Sequence, residues 1–194
     1  MTPKELVDVL QRHDLHLRAK PGGARADLRA QILPGLKLPG VVLRGATLSQ
    51  VDFSHCVLTG ADFRNADLFG ANFEGADLSG ANFESADLRG GRFKDANLTG
   101  ARLAHADLRA GTMLSAGTPK RSDLSGARLD GSNLDHARMN HANMSGASLA
   151  EASLNHAAMP QVDLHGANLT GASLASAMLK GADLSGANLV GGRP

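Results

Sequence analysis

The chain of 194 residues has no tryptophan, no tyrosine and only one cysteine, Cys56. A single cysteine cannot close a disulfide within the chain, so disulfides do not organise this fold. No run of 18 apolar residues is present, and the N-terminus lacks the apolar segment of a signal peptide. The sequence therefore predicts neither a membrane span nor export, and the expected compartment is the cytoplasm.

An excess of charge of either sign is also missing. The chain has 20 basic and 19 acidic residues, and its formal net charge is +1. This balance gives no reason to expect direct binding to nucleic acid or to a membrane surface. The sequence also lacks a nucleophile elbow, a phosphate-binding loop and a paired CxxC motif, so it predicts no enzyme, no catalytic residue and no cofactor.

What the sequence has in abundance is a repeat of five residues. Residues 61–90 read ADFRN ADLFG ANFEG ADLSG ANFES ADLRG without a gap. A Leu, Phe or Met, here called the centre of its repeat, occupies every fifth position from Leu28 to Met113 and from Leu124 to Leu189, which makes 18 and 14 repeats. The residue two positions before the centre is Ala in 22 of these 32 repeats. Cys56 takes this alanine position, which predicts a core residue.

A period of five fits neither an α-helix nor a continuous strand. On a helix, steps of five residues would spread the centres over every side, and on a strand successive centres would point to opposite faces. The chain must therefore turn once per repeat to keep every centre pointing inward. Four such turns close a square, which predicts a coil of 20 residues.

The residues after each centre have the chemistry of a β-turn. The second of them is Gly in 17 of the 32 repeats, and Leu33-Pro34-Gly35 has the pattern of a type II turn, which needs a positive φ at its third residue. Asn, Asp and His, which are enriched among residues with positive φ, fill other copies of this position. Opposite faces are ten residues apart, so Phe53, Phe73 and Phe93 are predicted to lie across the shaft from Phe63 and Phe83.

The A(D/N)LXX repeat resembles the pentapeptide-repeat family over about four fifths of the chain. The resemblance implies an all-β solenoid, a right-handed quadrilateral parallel β-helix of about eight coils, and a bacterial origin. We expect residues 26–191 to form it, as runs 26–115 and 122–191 that are interrupted by a small loop at 114–121. Residues 1–25 are expected to form a capping helix and linker, because Thr2-Pro3-Lys4-Glu5 is a helix start.

The resemblance also bears on function. Solenoids of this kind usually present a rigid surface to a partner, so the sequence favours a non-enzymatic scaffold that binds an unidentified protein. The alternative comes from one branch of the family, which resembles B-form DNA and protects DNA gyrase from quinolones or peptide toxins. That role implies a strongly acidic surface. Residues 1–121 carry 16 basic and 13 acidic residues and residues 122–194 carry four and six, so neither part mimics phosphates well.

The C-terminal coil has no cap in the sequence, so its apolar centres would line an open end. These centres are Leu174, Leu179, Leu184 and Leu189. An uncovered edge favours pairing with another copy, and we expect an end-to-end homodimer. The competing interpretation is that a further domain follows in a longer parent chain.

Histidine and aspartate are the remaining candidates for chemistry. His136 and His156 are 20 residues apart and should stack about 5 Å apart on adjacent coils, with His141 one corner away. No acidic residue or cysteine lies at a matching position, so no metal site is predicted. Asp67, Asp87 and Asp107 form a column beside a column of arginines, which is interpreted as a solvated ladder that keeps the coils in register.

Overall fold

The computed structural model describes residues 1–112 and 119–193. It begins with helix α1, Pro3–Leu17, which has the capping box that the sequence predicts. The Thr2 hydroxyl accepts a hydrogen bond from the Glu5 backbone N–H at 3.3 Å, and the Glu5 carboxylate accepts one from the Thr2 backbone N–H at 2.6 Å. Two of the N–H groups that a helix N-terminus leaves unpaired are satisfied in this way.

After α1 the chain turns once in every repeat, as predicted. At every described centre except Leu33 and Leu108, the N–H three residues later donates to the carbonyl of the centre, for example from Ala46 to Leu43 at 3.1 Å. Of the 31 described positions two residues after a centre, all except Ala110 have φ between +53° and +72°. The conformation is therefore independent of residue type, and glycine, histidine, asparagine, glutamine and glutamate all adopt it.

The turns stack four to a coil. Backbone bridges are parallel and join residues 20 apart, from Asp27 with Thr47 to Ser173 with Arg193, except where the interruption intervenes. Each bridge joins one residue on a coil to one residue on the next coil. The predicted all-β architecture is therefore present as a ladder of isolated bridges and not as strands in a continuous sheet. The physical reason is the short period, because a bend at every fifth residue leaves room for only one bridged residue on each face.

The centres and the small residues before them form one core along the shaft. Phe53, Phe63, Phe73, Phe83 and Phe93 have no exposed surface. Rings on the same face stack at centroid distances between 5.0 and 5.7 Å, and the rings of Phe73 and Phe83 meet edge-on at 5.8 Å. The predicted arrangement of phenylalanines on two opposite faces is confirmed.

Cys56 occupies the alanine position in this core. It is 1% exposed, and its thiol donates a hydrogen bond to the Leu33 carbonyl at 3.1 Å. Burial raises the pKa of the Cys56 thiol. The prediction of a core residue is confirmed, and the thiol is protected in the folded state.

The interruption changes the spacing of the bridges. Asp87 pairs with Asp107 at the usual separation of 20, but Asp107 pairs with Arg138, 31 residues away. Eleven residues, 111–121, are therefore additional to the coil, where the sequence predicted an interruption from 114 to 121. At its base, strand β1, Gly111–Thr112, pairs antiparallel with strand β2, Pro119–Lys120. Met113, the predicted last centre of the first run, and Leu114 lie outside the described residues.

Helix α1 covers the first coil. Leu6 is 7% exposed and His13 is fully buried. The His13 Nδ1 atom accepts a hydrogen bond from the Ala26 backbone N–H at 3.1 Å, which joins the helix to the first repeat. Burial, with a smaller contribution from the neighbouring His16, lowers the pKa of His13. The imidazole therefore acts as a neutral acceptor that satisfies a donor at the start of the ladder.

Candidate functional site

The C-terminal coil, residues 174–193, leaves apolar centres open at one end of the shaft. Leu189 is 44% exposed, whereas the centres one coil earlier are at most 1% exposed. Leu174, Leu179 and Leu184 are half-buried. The four leucines line an apolar depression of about 460 Å³. The sequence predicted these residues at the end of the shaft, and the structure places them there.

Some backbone groups at this end also have no backbone partner among the described residues. The N–H of Leu164 donates to the Asp183 carbonyl at 2.8 Å, which is the normal bond to the next coil. The N–H of Leu184 and the carbonyl of Ala182 have no backbone partner among the described residues. This end of the shaft, called the leucine end after Leu174, Leu179, Leu184 and Leu189, therefore has a rim of backbone donors and acceptors around an apolar centre. An exposed sheet edge has the same chemistry.

The sides of the shaft carry paired charges. The Arg64 guanidinium donates to both carboxylate oxygens of Asp62 at 2.9 and 2.7 Å, and Arg89 contacts Asp87 in the same way at 2.8 and 2.6 Å. Burial opposes ionisation of Asp62, but the hydrogen bonds from Arg64 outweigh it and lower the pKa of this carboxyl group. These side chains remain ionised and largely neutralise each other.

The predicted ladder is present in part. Asp87 and Arg89 belong to one repeat, so their contact does not connect two coils. Other members of the column do contact a neighbouring coil: Asp107 lies 3.6 Å from Arg138, and Asp67 accepts a hydrogen bond from the Ser49 hydroxyl at 2.7 Å. The carboxylates of the column also act within their own repeat, because each accepts the backbone N–H two residues later, as Asp87 does from Arg89 at 3.1 Å.

Charge also varies along the chain. Residues 1–45 carry eight basic and four acidic residues, and residues 46–112 carry six and nine. The middle of the shaft is therefore mildly acidic and the capped end is basic. Within the acidic part, the arginine–aspartate pairs also neutralise some of the carboxylates. A continuous row of unpaired carboxylates, spaced like the phosphates of DNA, does not result from this pattern.

The histidines at the turns form a column. His136 and His156 stack with ring centroids 4.9 Å apart, as the sequence predicted. His105 stacks on His136 at the same distance, a contact that the sequence analysis missed. His105 and His136 are 31 residues apart, so their alignment becomes visible only when the 11 additional residues are removed. His141 lies at the neighbouring corner, where the same turn position is occupied by Ala110 on the coil before and by Gln161 on the coil after.

Clusters of metal ligands and membrane-spanning helices would also indicate a function. Within residues 1–112 and 119–193, no group of three or more His, Cys, Asp or Glu is placed to hold a metal ion together. In the same part of the chain, no helix is long and apolar enough to cross a membrane. The leucine end, the sides of the shaft and the column of histidines are the described surfaces with a distinctive composition.

Comparison with known families identifies the repeat. A family model described as "Pentapeptide repeats" matches in eight copies over residues 24–60, 37–75, 48–84, 76–112, 122–159 and 159–192. The chain belongs to the pentapeptide-repeat family. Proteins of this family fold as right-handed quadrilateral β-helices, and they are generally non-enzymatic structural or interaction proteins. No curated protein sequence matches the chain.

Solved structures of other pentapeptide-repeat proteins resemble this chain. One is trypsin-treated QnrB1, a plasmid-mediated fluoroquinolone resistance protein, with 20% identity, coverage of 86% of this chain and 89% of that chain, and a TM-score of 0.43. Another is HetL, involved in heterocyst differentiation regulation in Nostoc sp. strain PCC 7120, with 28% identity, 99% and 96% coverage, and a TM-score of 0.27. A third, from the Arabidopsis thaliana thylakoid lumen, has 29% identity, 62% and 66% coverage, and a TM-score of 0.29. At this level of similarity, no function transfers from these proteins.

Proposed function

We propose that this pentapeptide-repeat protein is a non-enzymatic scaffold that binds a protein partner along the sides of its shaft and forms a homodimer through its C-terminal coil. The observation that carries the proposal is the contrast between the two ends. Helix α1 covers the first coil, whereas the leucine end leaves apolar centres and backbone groups open. The dimer is the part of the proposal that an experiment on the isolated protein can test.

A second copy suits the leucine end on two grounds. Leu174, Leu179, Leu184 and Leu189 present the same apolar depression on both copies, so a two-fold axis can place leucine against leucine. The rim has both donors and acceptors, including the Leu184 N–H and the Ala182 carbonyl, so two rims can pair with each other. Full burial of an exposed leucine contributes roughly 1.5–3 kcal/mol, and these partly exposed leucines, four on each copy, would each contribute a part of that amount.

The test is the molar mass in solution. The untagged chain should elute as a dimer of the 20.1 kDa subunit in size-exclusion chromatography with light scattering. Leu184→Glu should yield a monomer, because the dimer would bury two unpaired carboxylates. Val190→Glu is the matched control, since Val190 is 71% exposed at an outward position of the same coil. A wild-type monomer at high concentration, or a dimer that survives Leu184→Glu, contradicts the proposal.

The sides of the shaft are the proposed surface for the partner. Arg64, Arg89 and Arg109 are each held by a carboxylate in the same repeat, so their positions are fixed before binding. Fixed side chains lose less conformational entropy when a partner binds. Arg89→Ala should therefore weaken binding to a partner that contacts the side of the shaft on which Arg89 lies. A substitution at the leucine end should leave that binding unchanged.

Gyrase protection is the alternative function, and the charge pattern gives it little support. A protein that mimics DNA needs a strongly acidic surface, and here the sides carry paired charges of both signs. A supercoiling assay with purified gyrase, with and without a quinolone, separates the two functions. Neither inhibition nor protection by the protein is expected, and either effect would favour the alternative.

A further inference from the structure

We infer that the column of His105, His136 and His156 is a binding site for one divalent transition-metal ion held by two adjacent imidazoles. The three residues occupy the same turn position on three successive coils. Neighbouring rings have centroids 4.9 Å apart and planes within 8° of parallel. All three side chains are exposed, so their nitrogens are accessible to an ion from solvent.

The backbone fixes the spacing of this column. The N–H of His105 donates to the Asp135 carbonyl at 3.0 Å, and the N–H of His136 donates to the Asn155 carbonyl at 2.9 Å. These bonds hold successive histidines one coil apart before any ligand binds. A metal ion therefore meets two imidazoles that are already neighbours, and it has to order only their side chains.

Distances decide how many rings one ion can bind. With bonds of about 2.0–2.1 Å, two imidazole nitrogens on one ion lie about 3–4 Å apart. The lone pair of each imidazole nitrogen lies in the ring plane, so two stacked rings 4.9 Å apart must tilt toward each other before both nitrogens point at one ion. Both rings are exposed, so rotation about their side-chain bonds allows this. His105 and His156 are separated by twice the ring spacing, so they cannot share an ion. One ion therefore binds either His105 with His136 or His136 with His156, and His136 is common to both pairs.

The ligand type limits the ion. Imidazole favours Cu²⁺, Ni²⁺ and Zn²⁺, whereas Mg²⁺ prefers oxygen ligands. The nearest carboxylates along the chain are committed elsewhere, since Asp135 accepts from Ser153 Oγ at 2.6 Å and Asp107 from Arg109 at 2.8 Å. Water would complete the coordination shell, which is typical of an open site.

The probe is NiCl₂, titrated calorimetrically into the untagged chain, with MgCl₂ as the control ion. One Ni²⁺ per chain should bind at the column, and Mg²⁺ should not. His136→Asn should weaken Ni²⁺ binding at least tenfold, because the remaining rings are too far apart to act together. His105→Asn and His156→Asn should each weaken it only about twofold, because each leaves one intact pair.

Asparagine is chosen so that the variants fold. Asn65 occupies the same column with φ of +55°, close to the +59° of His136. His141→Asn is the matched control, because His141 has the same turn conformation but no histidine one coil away. The double variant His105→Asn with His156→Asn should bind as weakly as His136→Asn. Unchanged binding in His136→Asn, equal weakening by His141→Asn, or no Ni²⁺ binding by the wild type overturns the inference.

Discussion

Phe73 is the residue whose loss should destabilise the shaft most. Its ring stacks on Phe53 and Phe93 at 5.7 and 5.1 Å and meets Phe63 and Phe83 edge-on at 5.8 Å each. Truncating a buried phenylalanine to alanine costs about 3–5 kcal/mol. Aromatic pairs add about 0.5–1.5 kcal/mol each beyond buried area, so Phe73→Ala should lie at the upper end of this range.

The cavity left by Phe73→Ala should persist. The Phe73 N–H donates to the Arg92 carbonyl at 2.7 Å, and the Ala76 N–H donates to the Phe73 carbonyl at 3.0 Å. These backbone bonds hold the coil at its full width, so the neighbouring rings cannot collapse into the space. Because globular domains have free energies of unfolding of about 5–15 kcal/mol, the variant should lose a large fraction of its stability.

Two further variants separate ring contacts from volume and from surface effects. Phe73→Leu keeps an apolar centre like that of Leu78 and should lose less than Phe73→Ala. Phe69→Ala removes the half-buried ring that lies 5.5 Å from the Arg89 guanidinium, and it should cost about 1 kcal/mol or less.

The assay is urea unfolding followed by circular dichroism, with the transition midpoint and slope fitted for each variant. The expected order of destabilisation is Phe73→Ala, then Phe73→Leu, then Phe69→Ala. A solenoid can unfold in parts, so a second probe of unfolding should give the same midpoint before free energies are compared. Equal losses for Phe73→Ala and Phe69→Ala would refute the interpretation of the phenylalanines as a continuous core.

The remaining predictions concern the cap and the turns. The pKa of His13 is lowered in the folded state, so below pH of about 6.5 the unfolded chain binds the proton more readily, and the free energy of unfolding falls as the pH drops toward the folded pKa. His13→Gln should flatten this dependence in urea midpoints measured between about pH 8 and 5; an unchanged slope would exclude His13 as its source. Gly80→Ala places a methyl group in open space at φ of +65°, so a loss of about 1–2 kcal/mol would report backbone strain alone. Gly80→Asn should lose less in the same thermal or urea unfolding experiment, and equal losses would contradict the strain argument.

Much of the fold could be predicted because the pattern is strict. The five-residue period predicted the turns, the inward centres and the phenylalanines on two opposite faces, and Thr2-Pro3-Lys4-Glu5 predicted the start of α1. Single-residue bridges were not predicted, because the pattern shows where the chain turns but not how many residues pair between turns. The hydrogen bond to the His13 imidazole was also not predicted, since its donor, the Ala26 N–H, is 13 residues away.

Of the candidate surfaces, the sequence predicted one in full and another only in part. The positions of Leu174, Leu179, Leu184 and Leu189 followed directly from the repeat, because each is a centre of the last coil. The column of three histidines did not, since the length of the interruption had to be known before His105 could be aligned. The partner, the cytoplasmic location, the bacterial origin and the homodimer stay predictions, because no pattern in one sequence specifies them.

The way the chain leaves and rejoins the shaft has a practical consequence. Arg92 bridges Asp123 and Asp107 bridges Arg138, so the coil after the interruption takes the same place that an uninterrupted chain would fill. The antiparallel pairing of Gly111–Thr112 with Pro119–Lys120 brings the start and the end of the interruption together at one corner of the shaft. Foreign peptides of differing length can therefore be inserted at that corner, because the bridges on the coils before and after the interruption keep their partners.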